Sequence, residues 1–183
     1  IVDRITTEVT GMTELMDEVL ILGKLTSGNI HYDPQDLNLI EICKKLVKQF
    51  NLMQHDGRLL NFDVKGEPCI VSLDPKLLTH SLSNLISNAF KYSQGKSNPL
   101  LKLSFKPNIF GIIITDYGIG IPKEDLSSLA QPFFRANNAI AIKGTGLGLS
   151  IAKEYIEINK GTLIVNSTEG AGSSFEINMK NKT

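Results

Sequence analysis

Hydrophobic residues near the start of the chain recur at alternating spacings of three and four positions. This spacing predicts an amphipathic helix with a coiled-coil stripe on one face, which ends near Gly23, before a turn at residues 26–28. The stripe consists of Val2, Ile5, Val9, Met12, Met16 and Val19. So short a helix cannot bury its stripe alone. It therefore packs either on the chain's own domain or on a partner helix, from another subunit or from sequence outside this chain.

The rest of the chain alternates helical periodicity with short apolar runs. The periodicity predicts helices over about 37–55, 75–92 and 147–158; Asp74 and Pro75 begin the second, and Gly161 closes the third in the left-handed conformation. The apolar runs predict strands over 30–33, 59–65, 69–73, 101–105, 109–115, 162–167 and 174–179. This order predicts an α/β two-layer sandwich, a mixed and mostly antiparallel sheet covered on one face by three helices, with the coiled-coil-type helix added at the N-terminus.

Composition narrows the class of protein. With 183 residues, 42% hydrophobic and 21% charged, the chain fits one globular domain with a short appendage. Nineteen basic residues balance nineteen acidic ones, which argues against a nucleic-acid partner. The longest apolar run, 109–114, is too short for a membrane span, and charges within the first ten residues argue against a secretory leader. Because the chain begins at Ile1 rather than Met, we expect it to be part of a longer protein.

The predicted helix over 75–92 carries an unusual polar stripe beside its apolar face. Asn84 and Asn88 are four residues apart, and Lys91 follows almost one turn later. An amide oxygen is a neutral ligand that suits Mg²⁺ when a polyphosphate supplies the negative charge, and a lysine can contact the same phosphates. The stripe therefore indicates either a metal–phosphate site or an ordinary solvated face.

A second candidate is Asp116, which directly follows the predicted strand over 109–115. A carboxylate held there can accept a hydrogen bond from the amino group of adenine, whereas guanine presents an acceptor at the same position. Gly118 and Gly120 would let the backbone approach a flat ring closely. The alternative is a strand end followed by a glycine turn.

The third candidate is the run Gly144–Ser150, which leads into the last predicted helix after a long irregular stretch over 118–143. Glycines at a helix N-terminus leave backbone N–H groups available to an anion such as a phosphate. Two other phosphate motifs fail on spacing: a P-loop ending at Lys96 would need glycine at Phe90, and a dinucleotide fingerprint would need it at Leu149.

In this order, the three motifs resemble the ATP-binding domain of sensor histidine kinases, in the GHKL ATPase superfamily. Residues 84–93 match the N box, 116–122 the G1 box, 132–135 the F box and 144–148 the G2 box. The resemblance covers about 29–183 and implies the GHKL ATPase fold, with an ATP lid at about 121–143. Residues 1–28 resemble the second helix and hinge of the dimerisation and histidine-phosphotransfer domain, without the phosphoacceptor helix.

The resemblance implies a role for each matching residue. Asn88 would ligate Mg²⁺ with support from Asn84, while Lys91 and Arg135 would contact the phosphates, as catalytic groups together with Asn88. Asp116 would bind the adenine of ATP. The other residues implied in nucleotide binding are Tyr92, Gly118, Gly120, Ile121, Lys143, Gly144, Thr145, Gly146, Leu147 and Gly148.

The implied activity is transfer of the γ-phosphoryl group of Mg-ATP to a histidine outside this chain, followed by relay to a response regulator receiver domain. The implied partners are the histidine-containing hairpin of the parent protein and a second copy bound through the N-terminal helix. The domain is expected in the cytoplasm, and membrane anchoring of the parent is left open.

The residue at position 84 bears on the kind of activity, and two other functions are considered as alternatives. Gyrase and heat-shock relatives have a glutamate one turn before the metal-binding asparagine, as base for water attack. Here Asn84 occupies that position, which disfavours rapid self-contained hydrolysis. A serine kinase of the anti-sigma type is an alternative, although those proteins lack the heptad helix and hinge. A nucleotide-gated interaction module without turnover is the other.

Overall fold

A computed structural model describes the backbone of residues 2–180 and the side chains of residues 9, 11–13 and 15–180. The helices of this part of the chain are α1 (Val2–Thr26), α2 (Leu39–Met53), α3 (Pro75–Tyr92) and α4 (Gly148–Ile158). The strands are β1 (Gln35–Asn38), β2 (Asn61–Lys65), β3 (Ile70–Leu73), β4 (Leu100–Lys106), β5 (Ile109–Asp116), β6 (Thr162–Thr168) and β7 (Gly172–Lys180). Short 3-10 turns at Lys123–Asp125 and Asn137–Ala139 interrupt the loop before α4.

The main sheet has five strands in the order β2-β4-β5-β7-β6. β2 and β4 run parallel, and every other neighbouring pair in this sheet is antiparallel. A separate antiparallel pair joins β1 to β3. Helices α2, α3 and α4 contribute to the same apolar core as these strands. The predicted α/β sandwich with a mixed, mostly antiparallel sheet is therefore confirmed.

The core lies between α3 and the central strand β5. Leu78, Leu82, Leu85 and Ala89 form the buried face of α3, as their helical spacing predicts, and Ile112 on β5 is likewise fully buried. Burial of each large apolar side chain contributes about 1.5–3 kcal/mol, so this contact holds helix and strand together firmly. Asp74 caps α3 by accepting hydrogen bonds from the N–H groups of residues 76 and 77. The ends of α3 and β5 are thereby fixed relative to each other.

The predicted strand over 30–33 is wrong, because the first strand is β1 (Gln35–Asn38). Ile30 and Tyr32 instead pack against a second cluster built around Leu77 and Tyr155. The N–H of Asp33 donates to the Asp74 carboxylate at 2.9 Å rather than to a neighbouring strand. The side chains of Ile30 and Tyr32 are apolar, as in a buried strand, but they pack between helices instead of joining a sheet.

The predicted left-handed conformation at Gly161 is also wrong, because Lys160 adopts it, with φ 63°. Gly161 is required for space instead: a Cβ there would lie 2.8 Å from Met179 Cε and 2.9 Å from Ile156 Cγ2. Its N–H closes α4 by donating to the carbonyl of Ile156 at 2.8 Å. The glycine lets α4 turn tightly over the sheet.

The last turns of α1 pack on the domain, whereas its coiled-coil stripe does not. Ile21, Leu22 and Leu25 contact the second cluster, which contains Leu77, Leu147, Ile151 and Tyr155. Of the predicted stripe, Val9, Met12, Met16 and Val19 are exposed by 57, 66, 65 and 45%. The side chains of Val2 and Ile5 lie outside the described residues. Among the helices that the structure describes, none is long and apolar enough to cross a membrane.

Candidate functional site

A cavity of about 1170 Å³ lies between α3, the end of β5 and the loop that leads into α4. This volume is slightly above the usual range of about 300–1,000 Å³ for small-molecule sites, so the cavity is large enough for a nucleotide. Most of the predicted site residues line it. They are Asn84, Asn88, Lys91, Tyr92, Asp116, Gly120, Ile121, Arg135, Lys143, Gly144, Thr145, Gly146 and Gly148.

Two predicted residues do not line the cavity. Leu147 is fully buried, and its side chain packs in the second cluster, against the end of α1. Gly118 lies behind the carboxylate of Asp116 and donates its N–H to Oδ1 at 2.8 Å. The structure thus gives Leu147 a packing position and Gly118 a supporting one, and any backbone contact that they make with a ligand stays a prediction.

The polar stripe of α3 forms one wall of the cavity. Asn84 Nδ2 donates to the carbonyl of Gly148 at 3.1 Å and so ties α3 to the start of α4. Asn88, one turn further on, is half-buried, and no described residue hydrogen-bonds its side-chain amide. The Lys91 ammonium lies 4.9 Å from the centroid of the Tyr92 ring, and a Cβ on Gly144 would collide with it. Lys91 therefore reaches across the cavity to the glycine segment.

Asp116 lines the cavity from the end of β5 and is only 4% exposed. It accepts hydrogen bonds from Gly118 and from the backbone and hydroxyl of Ser173. Burial nevertheless raises the pKa of its carboxyl, and these hydrogen bonds offset only part of that effect. A buried carboxylate that faces a cavity can bind a hydrogen-bond donor such as the amino group of adenine.

The turn after Asp116 is packed against the end of α3. The N–H of Ile119 donates to the carbonyl of Tyr92 at 3.1 Å. A Cβ on Gly118 would collide with that same carbonyl oxygen, so only glycine permits this approach. The position of the Asp116 carboxylate therefore depends on where α3 ends.

The loop over 121–143 is folded down onto this turn. Asn138 Nδ2 donates to the carbonyl of Gly120 at 3.0 Å. Asp125, which is buried, accepts from the N–H and the amide of Asn137 at 2.8 and 3.2 Å. The N–H of Phe133 donates to the carbonyl of Gly146 at 3.1 Å. The loop thus forms part of the cavity wall, and its role as a lid stays a prediction.

Arg135 lines the cavity, but its guanidinium is engaged within the loop. Nη2 donates to the carbonyls of Ala139 and Ile140 at 2.6 and 3.1 Å and also to that of Ile142. These bonds hold three carbonyls of the segment 139–142 around one side chain. A phosphate contact from Arg135 stays a prediction, and it would require the guanidinium to exchange these partners.

Sequence reasoning missed several residues of the cavity wall. Arg58 and Asp56 come from the loop after α2, and Glu18 comes from α1. Among the described residues, the buried side-chain polar atoms without a hydrogen bond are Glu18 Oε2 and Asn138 Oδ1. A glutamate in a heptad helix or an arginine in a polar loop looks like any solvated residue, so the sequence carries no signal for these positions.

The polar stripe of α3 fits Mg²⁺ only together with a polyphosphate. The part of the chain that the structure describes holds no cluster of three or more His, Cys, Asp or Glu side chains. The unengaged amide of Asn88 is a neutral oxygen ligand, and Lys91 lies one turn away. Such a donor set lacks the negative charge that Mg²⁺ requires, which the phosphates of a nucleotide would supply.

Comparison with known families gives a match that covers most of the chain. The sequence model described as "Histidine kinase-, DNA gyrase B-, and HSP90-like ATPase" matches residues 73–183. This range contains all four of the motifs at 84–93, 116–122, 132–135 and 144–148.

Similar proteins and structures come from the same group. The sensor protein kinase WalK of Staphylococcus aureus is 30% identical over 182 residues, covering 94% of this chain and 42% of the relative. The chain thus spans less than half the length of the curated relatives it matches. The histidine kinase AdeS of Acinetobacter baumannii has a TM-score of 0.76 at 23% identity, over 99% of this chain and 84% of that one. Mycobacterial sensor histidine kinase MprB has a TM-score of 0.69 at 26% identity, over 82 and 99%.

Proposed function

This chain belongs to the histidine kinase-, DNA gyrase B- and HSP90-like ATPase family. We therefore propose that its cavity binds Mg-ATP, and that the γ-phosphoryl group of the bound ATP is transferred to a histidine outside residues 1–183. The observation that carries the proposal is the placement of Asp116, Asn88 and Lys91 in the walls of one cavity. The similarity to sensor kinases such as WalK supports a histidine as the acceptor.

The base of the nucleotide binds at the end of the cavity that holds Asp116. The carboxylate accepts a hydrogen bond from the adenine amino group, and the hydrogen bond from Gly118 keeps Oδ1 in place. A 6-oxo purine would direct an acceptor at the same buried carboxylate. Two acceptors facing each other without water are unfavourable, so the pocket selects adenine.

The phosphates bind at the other end, between α3 and the glycine segment. Lys91 lies beside Gly144, and Gly148 and Leu149 at the start of α4 line the same cavity. The first N–H groups of a helix have no partner within it and favour an anion. Asn88 holds Mg²⁺, and when bound the ion neutralises charge on the β- and γ-phosphates. These groups orient the γ-phosphorus toward the acceptor and reduce repulsion of the incoming nucleophile.

In the transfer itself, the lone pair of a neutral imidazole nitrogen forms a bond to the γ-phosphorus. The bond from that phosphorus to the β,γ-bridging oxygen breaks, and ADP keeps the electron pair. The imidazole then loses its N–H proton to solvent or to a base near the acceptor. Asn84, whose amide is hydrogen-bonded to Gly148, offers no base for a competing water.

The finer assignments of the wider protein are part of the same proposal. Residues 1–28 are the second helix and hinge of the dimerisation and histidine-phosphotransfer domain, and 29–183 form the catalytic domain. The exposed stripe of α1 pairs with the missing first helix and with a second copy. The phosphohistidine then passes its phosphoryl group to a response regulator receiver domain.

The proposal is tested by mixing the chain with the histidine-containing hairpin of its parent and radiolabelled Mg-ATP. Transfer to histidine gives phosphate on the hairpin that is stable to base and lost in acid. Acid-stable phosphate would indicate a serine kinase instead. ATP binding without any transfer would indicate a nucleotide-gated interaction module.

A matched pair of variants assigns the activity to the cavity. Asp116→Ala removes the base-binding carboxylate and should abolish labelling. Glu169→Ala removes an exposed carboxylate on the β6–β7 turn and should leave labelling unchanged. Equal labelling by both variants would contradict the assignment of this cavity.

A further inference from the structure

Arg58 is a nearly buried guanidinium that no part of the proposed chemistry uses. Its side chain is 10% exposed and lies under the last turn of α3. Nη1 donates to both the carbonyl and the hydroxyl of Ser93 at 2.8 Å, and Nη2 donates to the carbonyl of Phe90 at 3.0 Å. The final carbonyls of a helix have no partner within it and carry partial negative charge, so a cation stabilises them.

The guanidinium is held in place from its other sides. Asp56 Oδ2 accepts from Nε at 2.7 Å and lies 2.6 Å from Nη2. The Cζ atom of Arg58 lies 5.2 Å from the centroid of the Phe90 ring. With its planar fork directed by three residues, the guanidinium has one orientation, which a flexible lysine could not reproduce.

Ser93 completes the same junction. It is fully buried, and its hydroxyl donates to the carbonyl of Ala89 at 2.6 Å while accepting from Arg58. The end of α3 is therefore determined by side chains from two separate parts of the chain. No other charged side chain among the described residues hydrogen-bonds the carbonyls of Phe90 and Ser93.

The junction leads directly to the base-binding carboxylate. The carbonyl of Tyr92, between the two carbonyls that Arg58 binds, accepts the N–H of Ile119 at 3.1 Å. Gly118 packs against that carbonyl and donates its own N–H to Asp116 at 2.8 Å. A shift of the last turn of α3 would move this glycine turn, and with it the hydrogen bond that orients Asp116.

We propose that Arg58 is a positioning residue for adenine selection: it fixes the end of α3, and through the Tyr92 carbonyl it fixes the turn that orients Asp116. The inference rests on the proposed function, since it assumes that adenine binds beside Asp116. Arg58 lies 58 positions before Asp116, the first residue of the G1 box, and outside all four motifs. Arg58 acts on the base and not on the phosphates.

The test compares two diphosphates by calorimetry, ADP and inosine diphosphate, which has a 6-oxo purine. Arg58→Met keeps an unbranched apolar stem, although a shorter one, and removes every donor. We expect this variant to bind ADP about tenfold more weakly, the effect of weakening one charge-assisted hydrogen bond, with inosine diphosphate little changed. The preference for ADP should therefore fall. In amide NMR spectra, the signals of Gly118 and Ile119 should shift more than those of the segment 144–148.

The control separates positioning from general stability. Val71→Ala opens a space in the buried face of β3, whose strand pair does not contribute to the cavity, and should lower the melting temperature while keeping the ADP preference. If Arg58→Met keeps the preference of the wild type, or if Val71→Ala loses it equally, the inference is overturned. Should Arg58→Met fail to fold, Arg58→Lys answers the same question, because it keeps the charge on a single nitrogen but loses the planar fork. A wild type that binds neither diphosphate would refute the proposed function instead.

Discussion

Asp116 is a single carboxylate whose surroundings oppose its charge. It is buried at the end of β5, and burial raises the pKa of its carboxyl. A raised pKa means that the ionised group destabilises the fold at neutral pH, and that protonation relieves this penalty as the pH falls through the raised value. A residue retained at a cost to stability, facing a cavity, is the behaviour expected of a binding group.

The first prediction concerns the pH dependence of base binding. Adenosine, which has no phosphate to titrate, should bind progressively more weakly as the pH falls through the raised pKa of Asp116, because the protonated carboxyl is no longer a charged acceptor. The decline should begin above the usual aspartate range of about 4. Calorimetry across this pH range measures it, and Asp116→Asn should bind weakly at every pH. A wild-type affinity that is flat down to that range would contradict the role of Asp116.

The second prediction separates the two asparagines of α3. Asn88→Ala should weaken the binding of Mg-ATP about tenfold, equivalent to about 1.4 kcal/mol, and weaken metal-free ADP much less. Asn84→Ala should mainly lower the melting temperature, because it removes the bond to Gly148 that joins α3 to α4. Calorimetry with and without Mg²⁺, together with thermal unfolding, measures both. Equal losses with and without the metal in Asn88→Ala would argue against a metal ligand.

At the scale of whole elements, the loop over 121–143 depends on side chains rather than on regular structure. Its 3-10 turns are short. Asn138 and Phe133 bond to residues outside the loop, whereas Asp125 bonds Asn137 within it. Arg135 binds three carbonyls inside the loop. An element with so few backbone hydrogen bonds opens at a low free energy, which suits a lid.

The third prediction tests this loop by hydrogen exchange. Without nucleotide, amides over 137–143 should exchange rapidly, and Arg135→Met should accelerate them further because the carbonyls of the loop lose their shared donor. Lys123→Met, an exposed change in the same loop, should leave the rates unaltered. Strong protection of 137–143 in the nucleotide-free wild type would contradict a mobile lid.

Elements whose start, end and type depend on local pattern are predicted correctly from the sequence. The prediction fails where contacts with distant residues determine the conformation. Helix α3 begins at Pro75 and ends at Tyr92 as predicted, since its cap and its apolar period are local. The strand expected at 30–33 is absent because Ile30 and Tyr32 find partners on α3 and α4. Residues of the N, G1 and G2 boxes line one cavity. Arg58, which reaches residues 32 and 35 positions away, has no local signature.

At the scale of the whole molecule, α1 belongs to the wall of the cavity as well as to the surface. Gly11, Met12, Leu15 and Glu18 line it. A Cβ on Gly148 would lie 3.8 Å from Glu18 Oε1 and 3.7 Å from Asn84 Cγ, so this carboxylate sits at the start of α4. It is an acidic group at the end of the cavity assigned to the phosphates.

The fourth prediction follows from that charge. Glu18→Gln should raise the affinity for ATP about threefold, the size expected for one screened charge interaction, and leave adenosine unchanged. Asp17→Asn makes the same change of charge on an exposed position of α1 and serves as the matched control. Competition with a fluorescent nucleotide measures both. A gain in both variants would indicate a general charge effect, and a gain in neither would remove Glu18 from the site.

Because one helix forms part of the cavity wall and also carries an exposed apolar stripe, the two surfaces are thermodynamically linked. If the nucleotide binds more tightly once α1 has moved away, it must favour that movement by the same factor. A protein that binds the exposed stripe would then change the nucleotide affinity without contacting the cavity. Conversely, a bound nucleotide would change the affinity of α1 for that protein.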